Sequence, residues 1–497
     1  MPNSTTNLNS ISNLNSIQKI TNKKPHAIIV AYPTQGHVNP TIQLAIKLAS
    51  KGFSLTFVNT EVIHEQITSS NPILDPTHIF SGAVNGSISD IQYVTVSDGL
   101  PLGYDRSLNH DHWIGAMMHT YPAHVEVAVA DVVKSRPYTC CLVADSYSVW
   151  ASNVAKKYGL FYVSFWTEAA LVLDIYFHFH LLKKNSHVSP GTRKDTIDYI
   201  PGVKSLKTTD LMSYLQEEDM TSIYHESIFG AINDVKRADF ILSNTVQELE
   251  PNTTKAIQAQ TPFYTIGPLF KLGFPKRALS ASLWAESDCT HWLDSKPNGS
   301  VLYVSFGSYA HISKDELVEI ANGIKLSGVN FLWVIRPDMV SSDDPDPLPI
   351  EFKNDVRDRG LIVTWTNQIS VLSHPGVGGF LTHCGWNSTI ESVWHEVPML
   401  CFPLLTDQFT NRKLVVDDWK IGYYLCDEKP VKKEEVSQKI KLLMHESMGD
   451  RLKEKIKGAK QLLEKAIAIN GSSERNFDTF VKDLKIGASK KLNLSFN

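Results

Sequence analysis

The chain has 497 residues, of which 42% are hydrophobic and 20% charged, values ordinary for a globular protein with a substantial buried core. Lysine and arginine number 48 against 52 for aspartate and glutamate, and the net charge of −4 excludes a protein held to nucleic acid or to a membrane surface by bulk positive charge. Six cysteines are too few for a disulfide framework in so long a chain, so they predict reduced, mostly buried thiols in a cytoplasmic protein.

Residues 1–24 are rich in asparagine, serine and threonine and contain neither an acidic residue nor an apolar block. They lack the hydrophobic region of a secretory signal and the arginines of a typical transit peptide. We therefore expect a disordered tail, with plastid import as the lesser alternative. The longest apolar run, residues 160–182, is interrupted by two carboxylates and two histidines, which predicts no membrane span.

A strand–helix–strand pattern begins at residue 26. Residues 26–32 form an apolar run of strand length, a turn-rich loop follows over 33–40, and apolar residues then recur at helical spacing until Gly52. Residues 53–58 form a second strand, and this βαβ unit implies a right-handed crossover in a parallel sheet. Because the pattern recurs, residues 25–265 are predicted to form one doubly wound α/β domain. The further predicted strands lie at 140–144, 161–165 and 238–242.

The pattern breaks over residues 266–288, where no period is sustained, and we predict an interdomain linker there. A second α/β series fills residues 289–470. Its predicted strands are 300–306, 330–335, 361–364, 377–382 and 398–402, with helices over 314–327, from about 387, and within 433–468. Open α/β sheets bind ligands at the carboxyl ends of their strands, so the facing strand ends of the two domains should line a cleft.

The first strand-to-helix turn contains one glycine, Gly36, and no Gly-x-Gly-x-x-Gly, so the first domain lacks a dinucleotide-binding fingerprint. It does contain His37, which follows a strand and titrates near neutral pH, as a general base requires. One histidine among 18 is weak evidence, so a purely structural role is the alternative. Asp145, after the strand 140–144, is either an N-cap for the next helix, which is the commoner role, or a partner that fixes the tautomer of His37.

The second domain carries a more specific pattern. Residues 386–388, Trp-Asn-Ser, stand where a strand meets a helix, and the free N–H groups and positive dipole of a helix start favour a phosphate. Glu391 lies one turn further on the same face, well placed for ribose hydroxyls, and the turn at 305–308 contains Gly and Ser that can approach a phosphate. Trp365 follows a strand and offers a flat face to a nucleobase, although a lone tryptophan more often belongs to the core.

Asp344 and Asp346 have the Asp-x-Asp spacing with which metal-dependent sugar transferases hold a divalent ion and a diphosphate. They stand in a segment rich in proline and aspartate, so we interpret them as part of a solvated loop. No Cys/His cluster has the spacing of a zinc site. The sequence therefore predicts no metal site.

The stretch from Trp365 to Gln408 closely resembles the signature box of plant secondary-product UDP-glycosyltransferases, the family 1 enzymes. The resemblance covers almost the whole chain after the tail. Further matching motifs are Gly36-His37 and residues 141–145, 165–167, 266–268, 305–308 and 471–474.

This resemblance implies a GT-B type fold, in which two Rossmann-like doubly wound domains face each other across a cleft. The first domain would bind the acceptor, the second the UDP-sugar, and a C-terminal helix within 471–497 would return to the first domain. The implied reaction is inverting and needs neither metal nor cofactor, with UDP-glucose as co-substrate. Glucose would move to a hydroxyl or carboxyl of a small lipophilic plant metabolite such as a phenolic, flavonoid or terpenoid. From the cysteines and the net charge we expect a cytoplasmic protein without a nucleic-acid partner, and we expect it to be a monomer.

The resemblance also assigns roles to single residues. His37 would be the base and Asp145 its charge-relay partner. In the donor site, Trp365 would stack on uracil, Thr366 contact it through its backbone, Gln368 contact uridine, and Glu391 bind ribose. The diphosphate would be held by Ser308, His383, Gly385, Asn387 and Ser388, and the sugar by Thr167, Trp386, Asp407 and Gln408. Gln408 in the last place of the box usually accompanies glucose rather than galactose.

Three positions depart from the usual box. Thr366 and Asn367 replace a small residue followed by proline, and the loss of the proline loosens a turn. Glu396 replaces a glycine that can serve a backbone with positive φ. Two other functions stay open: a UDP-sugar epimerase or hydrolase on the same fold, and a nucleotide-sugar-binding protein without transferase activity. The pair of His37 and Asp145 argues against both. Loops around 80–120 and 170–225 should bind the acceptor, with a partly aromatic wall of Trp113, Trp166, Tyr176 and Phe177.

Overall fold

A computed structural model describes residues 24–70, 79–80, 90–188, 195–270, 282, 284–340, 347–427, 429–444 and 446–494. Residues 1–23 of the predicted tail, most of the predicted linker, and both Asp344 and Asp346 lie outside these ranges. The six cysteines lie inside them as free thiols, five of them buried.

The first domain is built on a parallel sheet. Its strands are β1 His26–Val30, β2 Ser54–Thr60, β3 Ile91–Val96, β4 Thr139–Asp145, β5 Phe161–Trp166, β8 Phe240–Ser243 and β9 Phe263–Thr265, while β6 Thr196–Ile197 and β7 Leu206–Lys207 form a separate antiparallel pair. Within the described residues the sheet order is β3-β2-β1-β4-β5-β8-β9. All five residues of β1 are buried, which is why an uninterrupted apolar run predicts this central strand.

Helices cover both faces of this sheet. They are α1 Gln35–Ser50, α2 Glu61–Ser70, α3 His110–His119, α4 Tyr121–Ser135, α5 Ala151–Lys157, α6 Ala170–Phe177, α7 Phe179–Lys184, α8 Ser213–Gln216, α9 Ile223–Val235 and α10 Pro251–Gln258. The loop predicted over 33–40 is shorter than expected, because α1 already begins at Gln35 and includes Pro40. The predicted acceptor loops also contain regular structure, since β3 and α3 lie within the first and α6, α7 and α8 within the second.

The second domain repeats the architecture. Its strands are β10 Val301–Ser305, β11 Asn330–Val334, β12 Gly360–Val363, β13 Val377–Thr382, β14 Met399–Cys401 and β15 Gly422–Tyr424, and its helices are α11 Thr290–Asp294, α12 Lys314–Ser327, α13 Ile350–Asp355, α14 Gln368–Leu372, α15 Trp386–Trp394, α16 Gln408–Lys413, α17 Lys433–Met444 and α18 Glu446–Ile467. The parallel strands that the structure describes here follow the order β12-β11-β10-β13-β14-β15. Helix α12 has the predicted bounds because Ser313 caps its first turn and Gly328 ends it at φ 75°.

Each sheet has a point where the strand order reverses, between β1 and β4 in the first domain and between β10 and β13 in the second. Ligands of doubly wound sheets bind at such switch points, outside the carboxyl ends of the strands. The prediction of two Rossmann-like doubly wound domains is therefore confirmed. One continuous apolar cluster includes Tyr176 of the first domain and Tyr303 and Trp386 of the second, so the domains share part of their core.

The last helix, α19 Ser472–Leu494, packs on the first domain although it follows the second in sequence. Its side chains Phe477, Phe480 and Leu484 are fully buried in the core beside β1. Polar contacts also hold this helix on the first domain, including a hydrogen bond of 2.8 Å from the Tyr264 hydroxyl to Asp483 in the middle of the helix. The C-terminal helix therefore returns from the second domain and completes the core of the first. None of the helices described is long and apolar enough to cross a membrane.

Candidate active site

His37 and Asp145 meet at the switch point of the first sheet. His37 lies in the first turn of α1, directly after β1, and Asp145 is the last residue of the neighbouring strand β4. Their side chains are joined by a contact of 2.7 Å between Nδ1 of His37 and Oδ2 of Asp145. Thr167, after β5, also lies 3.0 Å from the same ring nitrogen. The structure thus brings together residues that are 108 positions apart in the sequence.

The N-cap interpretation of Asp145 is wrong, because the following helix α5 begins at Ala151 and its N-cap is Trp150. The Asp145 carboxylate accepts two different hydrogen bonds: Oδ1 accepts the backbone N–H of Tyr147 at 3.0 Å and Oδ2 faces His37. Asp145 is buried, with 1% of its surface exposed. Its position is therefore fixed by its own turn, with one oxygen reserved for the imidazole.

This arrangement sets the tautomer and charge of His37. A carboxylate only accepts hydrogen bonds, so the proton lies on Nδ1 and the lone pair on Nε2 is left for a substrate. Burial by itself lowers the pKa of His37, but the carboxylates of Asp145 and Asp407 outweigh it, and the pKa lies above its ordinary value. His37 is therefore a stronger base than a free imidazole and carries its proton in a stabilised form.

At the second switch point, the turn that follows strand β10 faces the turn that follows strand β13. Gly307 has φ 75°, and a Cβ atom added there would lie 2.5 Å from Nε2 of His383. The fully buried guanidinium of Arg336 holds this turn by donating to the carbonyl oxygens of Gly307 and Ala310. Burial, with Arg336 adding to it, lowers the pKa of His383 to about 4. His383 is therefore neutral, and its buried Nδ1 has no hydrogen-bond partner in the part of the chain described.

Helix α15 begins at this point, with Gly385 as its N-cap, and points its free N–H groups at the cleft. Asn387 reaches across the cleft: its Nδ2 donates to the carbonyl oxygen of Gly36 at 2.7 Å. That oxygen is available because Pro40, four residues later in α1, has no N–H to bond it. The residue predicted to hold the diphosphate thus lies directly against the turn that carries His37.

Trp386 is placed differently from its neighbours. Its side chain is 3% exposed, and its indole N–H donates to the carbonyl oxygen of Asn244 in the first domain at 2.8 Å. The indole therefore belongs to the domain interface. A contact from Trp386 to a sugar would come from its backbone N–H.

The predicted ribose and uridine residues form one network. Nε2 of Gln368 donates to the Ser388 hydroxyl at 2.9 Å and to the Glu391 carboxylate at 2.7 Å. Burial raises the pKa of Glu391 to about 7, the bond from Gln368 opposing it. A pair of ribose hydroxyls can replace the Gln368 contact at this carboxylate. Ser308 is half-buried in the turn after β10, next to Gly307.

Trp365, the residue predicted to stack on uracil, is contacted by the end of the predicted linker. Trp365 is half-buried, and its ring centroid lies 6.4 Å from that of Trp284 at an angle of 30°. Ser287 donates its N–H to the Trp365 carbonyl oxygen, and its own carbonyl oxygen accepts the hydroxyl of the buried Thr366, both at 2.9 Å. Sequence reasoning missed Trp284, because it stands in a segment without periodicity.

Asp407 and Gln408 stand at the start of α16. Oε1 of Gln408 accepts hydrogen bonds from the backbone N–H groups of Leu404 and Leu405. The Nε2 group is the donor of this side chain. Asp407 accepts from Asn411 Nδ2 at 2.6 Å, and burial raises its pKa above the ordinary value. Asp407 and Gln408, which are adjacent in sequence, thus offer a carboxylate and an amide N–H group.

The predicted aromatic wall is buried, and further rings join it. Trp113 contacts Tyr32 edge-on at 5.8 Å, and Trp166 stacks with Tyr147 at 6.4 Å and 13°. Tyr309 of the second domain closes the wall, 6.4 Å from Trp113. Sequence reasoning did not identify Tyr32, Tyr147 or Tyr309. Two of these rings contact His37 directly: its ring lies 5.6 Å from that of Tyr32 and meets Tyr147 edge-on at 5.3 Å.

Glu396 confirms the expectation of positive φ at this position, since it adopts φ 58°. It follows the C-terminal end of α15, whereas Asn387 lies in the first turn of that helix. Its carboxylate pairs with Lys460 at 2.8 Å. The departure from the box thus lies at the end of α15 away from the phosphate position.

The chain is similar to known proteins over almost its whole length. Residues 107–456 match the UDP-glucoronosyl and UDP-glucosyl transferase family. The chain is 50% identical to UDP-glycosyltransferase 86A1 of Arabidopsis thaliana over 96% of this chain and 98% of that protein. It is 34% identical to linamarin synthase 1 of Manihot esculenta over 93% and 97% of the two chains. The structure of Phytolacca americana UGT2 complexed with UDP-2fluoro-glucose and pterostilbene matches with a TM-score of 0.75 and 26% identity, over 93% of this chain and 99% of that chain. The chain therefore belongs to this family and is a UDP-glycosyltransferase.

Proposed function

We propose that this UDP-glycosyltransferase moves glucose from UDP-glucose to a hydroxyl group of a small lipophilic acceptor, with inversion at the anomeric carbon. One observation carries the proposal: a histidine with an assigned tautomer, His37, lies directly across the cleft from the start of α15. The contact of 2.7 Å between Asn387 Nδ2 and the Gly36 carbonyl oxygen measures how close the two sides are.

The chemistry follows from this placement. The acceptor hydroxyl oxygen attacks the anomeric carbon while Nε2 of His37 takes its proton, and Asp145 stabilises the imidazolium that forms. The bond between the anomeric carbon and the β-phosphate oxygen breaks, and UDP leaves with the electron pair. Attack from the side opposite UDP inverts the centre. The N–H groups at the start of α15, with neutral His383, meet the charge that develops on the diphosphate.

The choice of glucose rests on Asp407 and Gln408. A carboxylate acceptor and an amide donor on adjacent residues suit two adjacent equatorial hydroxyls, at positions 3 and 4 of glucose. Inverting one of these hydroxyls would leave buried polar groups unpaired. The glucose analogue in the Phytolacca americana UGT2 structure is consistent with this donor.

The acceptor class follows from the wall around His37. Its aromatic rings favour a flat, apolar molecule, which gains binding energy by burying its surface there. The same rings exclude water, which limits hydrolysis of the donor sugar.

To test the proposal, the purified protein is incubated with UDP-glucose and a library of phenols and alcohols, and products are detected by mass. We expect hexosides to form and UDP to be released only when an acceptor is present. His37→Ala should abolish these products while keeping UDP affinity, whereas the exposed control His291→Ala should match the wild type. UDP release without an acceptor, with free glucose or an epimerised donor, would contradict the proposal.

A further inference from the structure

Glu168 has no part in the mechanism above, yet it is buried next to the base. It follows Thr167, whose hydroxyl contacts His37, and only 7% of its surface is exposed. Its Oε1 accepts the Tyr147 hydroxyl at 2.7 Å. Its Oε2 is buried and has no hydrogen-bond partner within the described residues. A buried polar atom without a partner is costly, so it indicates a group that a ligand satisfies.

The groups around Glu168 show its place relative to the predicted sugar-binding residues and the base. The carboxylates of Asp407, at the sugar position, and of Asp145, behind the base, both act on Glu168. Tyr147, which holds Oε1, also meets the His37 ring edge-on at 5.3 Å. Glu168 is therefore separated from the His37 ring by the single side chain of Tyr147, beside the place where the reacting part of an acceptor must lie.

The same neighbours fix the charge of Glu168. Burial, with Asp407 and Asp145 adding to it, raises the pKa of the Glu168 carboxyl well above its usual range. The raised pKa favours the protonated form of this carboxyl. Because Oε1 accepts from Tyr147, the proton belongs on Oε2, which then donates a hydrogen bond.

We propose that Glu168 is a specificity-determining residue that hydrogen-bonds an uncharged oxygen of the acceptor through Oε2, and that it selects against acceptors carrying a carboxylate. This inference rests on the proposed function and narrows it from hydroxyl or carboxyl acceptors to neutral hydroxyl compounds. A carbonyl, ether or second hydroxyl oxygen satisfies the buried donor. A carboxylate would have to share a water-poor site with Asp145 and Asp407, and like charges in such a site repel strongly.

Three phenols of similar size test the proposal: methyl 4-hydroxybenzoate, 4-hydroxybenzoate and 4-propylphenol. Each is assayed with UDP-glucose for the wild type, Glu168→Gln, Glu168→Leu and the exposed control Glu226→Gln. The wild type should prefer the ester to the carboxylate by about 100-fold in kcat/KM. Glu168→Leu should lose roughly tenfold on the ester, the effect of one hydrogen bond, and little on propylphenol. Glu168→Gln keeps a donor at this position and should retain the preference for the ester over propylphenol.

The KM for UDP-glucose separates this role from a donor contact. It should stay within about twofold of the wild type in all variants, and UDP affinity and melting temperature check that each is folded. Equal turnover of the ester and the carboxylate by the wild type would overturn the proposal. So would a Glu168→Leu effect that falls on the KM for UDP-glucose or equally on ester and propylphenol. Failure of the wild type to glucosylate all three phenols despite binding UDP would instead contradict the proposed function, and this inference with it.

Discussion

Asp145→Asn removes one charge from the centre of the site and changes almost no volume. The carboxylate now serves two donors, the Tyr147 N–H at 3.0 Å and the His37 Nδ1–H at 2.7 Å. An asparagine has one oxygen and cannot serve both. If its oxygen faces Tyr147, its NH₂ group faces Nδ1 and moves the imidazole proton to Nε2, where the base must be free.

The magnitude follows from the geometry. Atoms 2.7 Å apart place the two charge centres at about 4 Å, where a unit pair interacts by about 4 kcal/mol at an effective dielectric constant of about 20. That stabilisation of the imidazolium corresponds to roughly 10³ in rate, within the 10²–10⁴ typical of general base catalysis. We therefore expect Asp145→Asn to lose about 10³ in kcat/KM on an alcohol.

The assay compares benzyl alcohol with a nitrophenol across pH. An acidic phenol ionises without help, so its loss should be much smaller than that of the alcohol. Because Asp145 raises the pKa of His37, wild-type activity should fall as the pH drops through that raised pKa. Asp145→Asn should move this acid limb to lower pH, since the charge that stabilises protonated His37 is gone. The exposed control Asp131→Asn should leave the profile unchanged.

Retention of more than half the turnover on benzyl alcohol, with an unmoved acid limb, would refute this reasoning. UDP affinity and melting temperature close to the wild type are required of the variant. A loss of the same size on both acceptors would also contradict it, because the base matters only where the acceptor needs it.

Further predictions follow from other parts of the molecule. UDP-galactose should be turned over more slowly than UDP-glucose at matched concentrations, and equal turnover would contradict the role of Asp407 and Gln408. Excess EDTA should leave the rate nearly unchanged; a loss above about tenfold, restored by manganese, would point to Asp344 and Asp346. Glu396→Gly should raise the melting temperature by a few degrees. The strain of the left-handed backbone that it relieves, about 1–2 kcal/mol, is larger than the stabilisation from the half-exposed ion pair between Glu396 and Lys460. A lower melting temperature would contradict this. A protein starting at Lys24 should fold and turn over normally, and failure to fold would show that the tail is needed.

The sequence predicts the central strands well and the edges poorly. Strands β1 and β4 are buried on both faces, so each appears as an uninterrupted apolar run. Strand β3 lies at a sheet edge and is mostly half-buried, so its residues do not stand out from a loop. Helices α3, α6, α7 and α8 likewise lie in regions predicted to be irregular.

The sequence predicts site residues whose role follows from their position at the end of a strand. It does not predict those whose role depends on how distant segments pack together. His37 and Asp145 each follow a strand, but their contact requires β1 to lie beside β4, which local patterns do not reveal. The orientation of Trp386 depends on Asn244 of the other domain. In the sequence Glu168 only interrupts an apolar run, because its burial and its contact with Tyr147 are properties of the folded chain.

Proton NMR of the sugar's anomeric position during turnover tests the central claim most directly. The account predicts that the α-linked glucose of UDP-glucose becomes a β-glucoside of the acceptor, with one UDP released for each glucoside and no free glucose. An α-glucoside, or UDP released with free glucose in place of glucoside, would contradict direct attack by an acceptor that His37 deprotonates.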